Sequence, residues 1–225
     1  MREIDDAVRE DEARDMFRRY AAPVGVAIVA GLVGLAGYLW YDNHKATEAG
    51  ERGEKLTVAL DQVEAGNLKS GDASLGAMLK DSSPGYAAAA RMMQGAIAEQ
   101  QGKADQAGKA FAEVAADTKA PQAYRDLATI RAVAAQFDRL PPQQVIDRLG
   151  ALAVPGNPWF GSAGEMVGVA YMKQNKPDLA AKLFAAMAKD KQVPETLRRR
   201  VRQIAGQLGV DAVDDPAAAA QINAQ

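Results

Sequence analysis

Residues 85–125 lie over residues 158–198 at an offset of 73, with no gap. Gly95 falls on Gly168, Phe111 on Phe184, Asp117 on Asp190 and Pro121 on Pro194. Lys103, Asp105 and Ala107 fall on Lys176, Asp178 and Ala180; Gly102 falls on Asn175, and Tyr86 on Trp159. An internal repeat of this kind limits the chain to architectures in which a small unit stacks on copies of itself, because one unit cannot bury its own apolar face. Each copy predicts the same form. A helix of about 16 residues runs into a turn at Gly102 or Asn175. A second helix begins near Asp105 or Asp178 and ends before the proline. Gly95 and Gly168 would let the two helices cross closely. Ala107 and Phe111, or Ala180 and Phe184, are four apart and would form the facing surface.

The spacing Gly95-Gly102-Ala107-Phe111 resembles the tetratricopeptide repeat, and Gly168-Asn175-Ala180-Phe184 follows it with Asn at the turn. Three features depart from that motif. Its large aromatic at position four is Arg91 in one copy and Gly164 in the other. Its position-eleven tyrosine is Ala98 and then Tyr171. Its closing proline comes two residues late in both. An offset of 73 holds two units, so a third hairpin is expected between the copies. Residues 121–137 would be its first helix, with Leu127, Ile130, Val133, Ala134 and Phe137 inward. Pro141-Pro142 would open its second, with Val145, Ile146, Leu149 and Leu152. After Pro194, the residues Leu197, Val201, Ile204, Ala205 and Leu208 predict a final helix. Upstream, Leu56, Leu60 and Val63 continue a helix to Gly66, and a shorter helix is expected near 72–80 with Leu75, Met78 and Leu79. The expected fold is all-α, a single transmembrane helix followed by an α-solenoid of roughly three and a half hairpins. The concave side of such a stack binds a peptide or another protein.

The transmembrane expectation rests on residues 21–41, which carry no formal charge. As a helix they span about 31 Å, close to the roughly 30 Å of a bilayer core. Tyr20 marks one edge, and Tyr38, Trp40 and Tyr41 the other. The preceding segment holds seven acids and five arginines, and the far end is bulky, which disfavours a cleaved signal. The predicted layout is a short cytoplasmic amphipathic segment over 1–20, a transmembrane helix over 21–41, an exported repeat domain over 42–209 and a flexible tail over 210–225. Pro23 would start or kink the membrane helix. The arginines place the N-terminus in the cytoplasm and the large domain on the exported side. Ala27/Gly31 and Ala30/Gly34 are small residues four apart, a face that would admit a second helix, as in a homodimer. Gly and Ala are also simply common in membrane helices.

Little in the chain points to catalysis. There is one histidine, His44, and no cysteine. A lone juxtamembrane histidine reads as solvated, and a zinc site is not expected. No Ser-x-x-Lys spacing occurs. Gly66 to Gly71 has the glycine spacing of a phosphate loop, but Asp72 stands where the lysine belongs. No catalytic residue, cofactor or metal ligand is assigned. Net charge is −2, carried by the segment before residue 21, which argues against nucleic acid as a partner. Arg198, Arg199, Arg200 and Arg202 form the sharpest charge cluster. They read as a solvated face, or as a contact for anionic headgroups or an acidic partner. Met92 and Met93 read as core packing.

The whole layout resembles the YfgM-like family of bacterial inner-membrane proteins. The resemblance is carried by the charged segment ending Phe17-Arg18-Arg19-Tyr20, by the anchor, and by ordered hairpins that include Pro155-Gly156-Asn157-Pro158. It implies a non-enzymatic scaffold that associates with the SecYEG translocon and with periplasmic chaperones or exported polypeptides. The alternative is a structural coordinator of envelope assembly or division that binds other envelope proteins.

Overall fold

The computed structural model describes the backbone of residues 2–81 and 83–210, and the side chains of residues 31–80 and 83–210. Within them lie nine helices and no strand: α1 (Arg2–Glu64), α2 (Leu68–Asp81), α3 (Pro84–Gln100), α4 (Ala104–Ala116), α5 (Gln122–Ala135), α6 (Pro142–Leu149), α7 (Phe160–Lys173), α8 (Pro177–Lys189) and α9 (Glu195–Gln207). The chain divides into two compact units, Met1–Glu54 and Lys55–Gln225.

In the second unit the helices pair as hairpins, and proline marks most of their starts. Pro84, Pro142 and Pro177 sit in the first turn of α3, α6 and α8, where a missing N–H costs nothing. Pro121, Pro141 and Pro194 are the N-caps of α5, α6 and α9. The turns at Gly102 and Asn175 are Schellman caps. Lys103 N–H donates to Ala98 O at 2.8 Å and Gly102 N–H to Glu99 O at 2.9 Å. Lys176 N–H donates to Tyr171 O and Asn175 N–H to Met172 O, both at 2.9 Å. The cap needs a left-handed residue, and φ is +70° at Gly102 and +57° at Asn175. Glycine and asparagine are the residues that adopt it at least cost.

Within each copy the two helices are in close contact at the expected place. A Cβ on Gly95 would lie 2.4 Å from Phe111 Cε1, and one on Gly168 would lie 2.4 Å from Phe184 Cε1 and Cζ. Both rings are buried, as are Ala107 and Ala180. The departures from the tetratricopeptide pattern have local explanations. At Gly164 the space of the missing aromatic is taken by Met187, whose Sδ would be 2.8 Å from an added Cβ. Arg91, at the matching position, pairs with Glu113 on α4 at 3.1 Å. The two residues before each late proline belong to an Asx turn. Asp117 Oδ1 accepts from Lys119 N–H at 2.9 Å, and Asp190 Oδ1 from Gln192 N–H at 2.8 Å. Each turn tucks Ala120 or Val193 into the core.

Several expectations are corrected. The stack in this unit holds four hairpins and a closing helix among the described residues, because the end of α1 and α2 form a further pair. Ala59 and Leu75 share a core with Ala90 and Ile97 of α3. Helix α2 begins at Leu68, ahead of the expected 72. Gly71 lies inside it, where a Cβ would be 2.6 Å from Val63 Cγ2. Gly66 caps α1 with φ +81°, so the phosphate-loop spacing is a helix end followed by a helix. Ala134 is exposed; Ala128 and Ala132 are buried in its place.

Helix α1 runs through Pro23 without a break. The side chains of 1–30 lie outside the described residues, and with them the amphipathic face expected over 1–20 and half of each small-residue pair, Ala27 and Ala30. Residues 211–225 of the expected tail also lie outside. Among the described residues no helix is long and apolar enough to cross a membrane. Residues 31–41, the described part of the uncharged stretch, rise only about 16 Å. Their side chains stand in solvent: Leu32, Val33, Leu35, Leu39 and Trp40 are each more than half exposed.

Candidate protein-interaction site

Successive first helices of the hairpins meet directly, α3 with α5 and α5 with α7, while successive second helices make no contact of similar extent. The first helices therefore form the inner, more closely spaced side of the stack, as in an α-solenoid. On that side, between the end of α1, α3 and α5, lies a cleft of about 330 Å3. Leu56 and Leu60 form one wall, Met92 and Met93 another, and Tyr124 and Leu127 the third. All six are half-buried. Phe111 forms the floor, with the Arg131 guanidinium 5.3 Å from its ring centroid. Arg131 is also paired with Glu99 across α3 and α5. The cleft's only cation is thus already neutralised, and its surface offers mainly aliphatic and thioether groups.

The repeat shows which of these residues packing requires. At the same offset of 73, α5 falls on α9, so Met92 and Leu127 match Glu165 and Arg200. In the later copy those two side chains form an ion pair across α7 and α9. A position that holds an exposed ion pair in one copy does not need an apolar side chain for folding. Met92 and Leu127 leave apolar surface facing a cleft instead, and methionine adapts its shape readily to a bound surface. Met92 and Met93 pack against the core as expected, Met92 beside Ala88 and Phe111 and Met93 beside Leu75, and their remaining surface walls this cleft. The signal was present in the alignment, as an apolar pair opposite a charged pair.

The arginine cluster is largely committed to the fold. Arg200 pairs with Glu165, Arg198 with Glu195, and Arg202 Nη2 donates to Ala188 O at 3.4 Å. Only Arg199 is an exposed member with no such bond. His44 is stacked on Trp40, with centroids 5.5 Å apart, and its Nε2 is 3.3 Å from Glu48 Oε1. One residue on, Lys45 Nζ lies 4.5 Å from the Tyr41 ring centroid, and its hydrogen bond with that side chain raises its pKa. Among the described residues no polar or charged residue is buried, and no three His, Cys, Asp or Glu residues gather as a metal site would require.

A model of the tetratricopeptide repeat-like domain matches residues 14–208. The chain belongs to the tetratricopeptide repeat-like domain family. No curated protein and no solved structure matches it. The match includes the uncharged stretch 21–41 as well as every hairpin. A tetratricopeptide repeat-like domain is a protein-interaction module, and the inner cleft of this one gathers six half-buried apolar side chains on one accessible surface.

Proposed function

We propose that the protein is a membrane-tethered interaction scaffold whose inner cleft holds an apolar segment of another polypeptide. The observation that carries this is the pair Met92 and Leu127, apolar and accessible where the later copy has Glu165 and Arg200. Burying two or three large apolar side chains in the cleft would contribute about 1.5–3 kcal/mol each before the cost of association. The tether is residues 21–41, with the N-terminus cytoplasmic and 42–209 in the periplasm. It is supported by the absence of formal charge over its length, and by apolar side chains from residue 32 onward that no described residue covers. The partner reading follows the family resemblance: an ancillary subunit beside SecYEG that receives exported polypeptides or periplasmic chaperones.

The test transplants one copy's chemistry into the other. Met92→Glu with Leu127→Arg installs the ion pair that α7 and α9 already carry. The double variant should fold as the parent does and lose co-purification of translocon or chaperone components from gently solubilised membranes. Unchanged recovery of those components would remove the cleft from the account.

A further inference from the structure

The outer side of the stack carries a second cleft, of about 560 Å3, between α2 and α4 across the end of α3. Its chemistry is opposite to that of the inner one. Three lysines stand around it: Lys69 on α2, Lys103 at the N-cap of α4 and Lys109 on α4. None has an ion-pair partner among the described residues. The two carboxylates of the lining are already engaged. Glu113 is paired with Arg91 at 3.1 Å, and Asp72 Oδ1 accepts from Gln94 Nε2 at 2.8 Å. Against Asp72 and Glu113 the lining sets Lys69, Arg91, Lys103 and Lys109, so the net charge of the cleft is positive, in a chain that is otherwise close to neutral. Gln101 and Gln106 add amides with no side-chain bond of their own among the described residues.

The matching surface of the later copy keeps two of the three lysines, as Lys176 and Lys182, and one amide, with Gln101 falling on Gln174, while Lys69 falls on Pro142. Gln94, Gln106 and Glu113 fall on Val167, Leu179 and Ala186. The repeat fold therefore tolerates an apolar side chain at the position of Gln106, whose amide answers no packing requirement.

We propose that this outer cleft is a second binding site, for an acidic polypeptide segment in extended form. Lysines from two walls would meet its carboxylates, and the free amides would meet its backbone N–H and C=O groups. Nucleic acid fits less well, because no aromatic side chain lines the cleft to stack on a base.

The experiment titrates the detergent-solubilised full chain into a fluorescein-labelled glutamate-rich peptide and reads anisotropy. Binding is expected at low salt and should weaken as salt rises. Lys69→Gln/Lys103→Gln/Lys109→Gln should weaken it about tenfold, three exposed charge contacts at a few tenths to about 1 kcal/mol each. Lys109→Glu alone should weaken it too, and thermal unfolding should match the parent in both variants. The Met92→Glu/Leu127→Arg variant should bind the peptide normally, which separates this site from the inner cleft. No binding at low salt, equal binding by the triple variant, or equal binding of a glutamine-substituted peptide overturns the proposal. So does tighter binding of single-stranded oligonucleotide or phosphatidylglycerol vesicles at the same lysines.

Discussion

Replacing Gly95 with alanine adds one methyl group where two helices are closest. The new Cβ would stand 2.4, 2.7 and 2.8 Å from three carbons of the Phe111 ring, against a comfortable separation of about 3.5–4.0 Å. The ring would have to retreat by about 1 Å, and Phe111 is fully buried, packed with Ala98, Ala107 and Ala132. Overpacking of this kind costs about 1–3 kcal/mol, and so close an approach belongs at the upper end. Alanine returns about 1 kcal/mol of helix propensity. The net expectation is destabilisation by about 2 kcal/mol. Gly76→Ala is the control. It lies inside α2, where a Cβ would meet only Gln94 Nε2, at an ordinary 3.7 Å. It should stabilise by up to about 1 kcal/mol. Hydrogen exchange of the α3 and α4 amides reads the hairpin directly, since a solenoid need not unfold as one unit. In a Phe111→Leu background the cost of Gly95→Ala should shrink, because the smaller side chain vacates the ring's volume. If Gly95→Ala slows exchange as Gly76→Ala does, the helix crossing is not set by the glycine and the packing argument fails.

Asn175→Gly should stabilise the second copy by a few tenths of a kcal/mol to about 1, while Asn175→Val should destabilise it by about 1–2 kcal/mol, both read as shifts in the denaturation midpoint. Asp117→Ala removes the side-chain acceptor of an Asx turn and should cost about 1 kcal/mol, with faster exchange at Lys119 N–H as its local signature. Arg200→Ala breaks an exposed pair with Glu165 and should cost no more than about 1 kcal/mol, with a double-mutant cycle that fades in high salt.

The repeated hairpins were legible because each depends on residues with few substitutes. A left-handed cap accepts Gly or Asn, a close crossing requires Gly against Phe, and a proline marks a start. What was missed lay where the side chain carries no such signature. Ala134 reads as inward, and nothing in the sequence singles out Ala128 and Ala132, because alanine fits either face of a helix and gives no periodic contrast. Helix α2 is expected from 72, and only the neighbouring Val63 shows that Gly71 belongs to it and lets it lie close to α1. Met92 reads as core packing, and it does pack against the core. Its partial exposure emerges only when Glu165 is recognised as its counterpart. The arginines after Pro194 read as one charged face, whereas three of the four reach different partners on α7, α8 and α9. The uncharged stretch 21–41 was legible as a composition, and its described part, 31–41, keeps its apolar side chains exposed.

The central claim is that one copy of the repeat binds and the other does not, at positions that correspond. A photoreactive amino acid placed at position 92, and separately at position 165, in the full chain in intact membranes tests this most directly. The account predicts crosslinks to a second polypeptide from 92 and few from 165, with the products lost when Leu127→Arg is added. Equal crosslinking from both positions, or products from 165 alone, would contradict it.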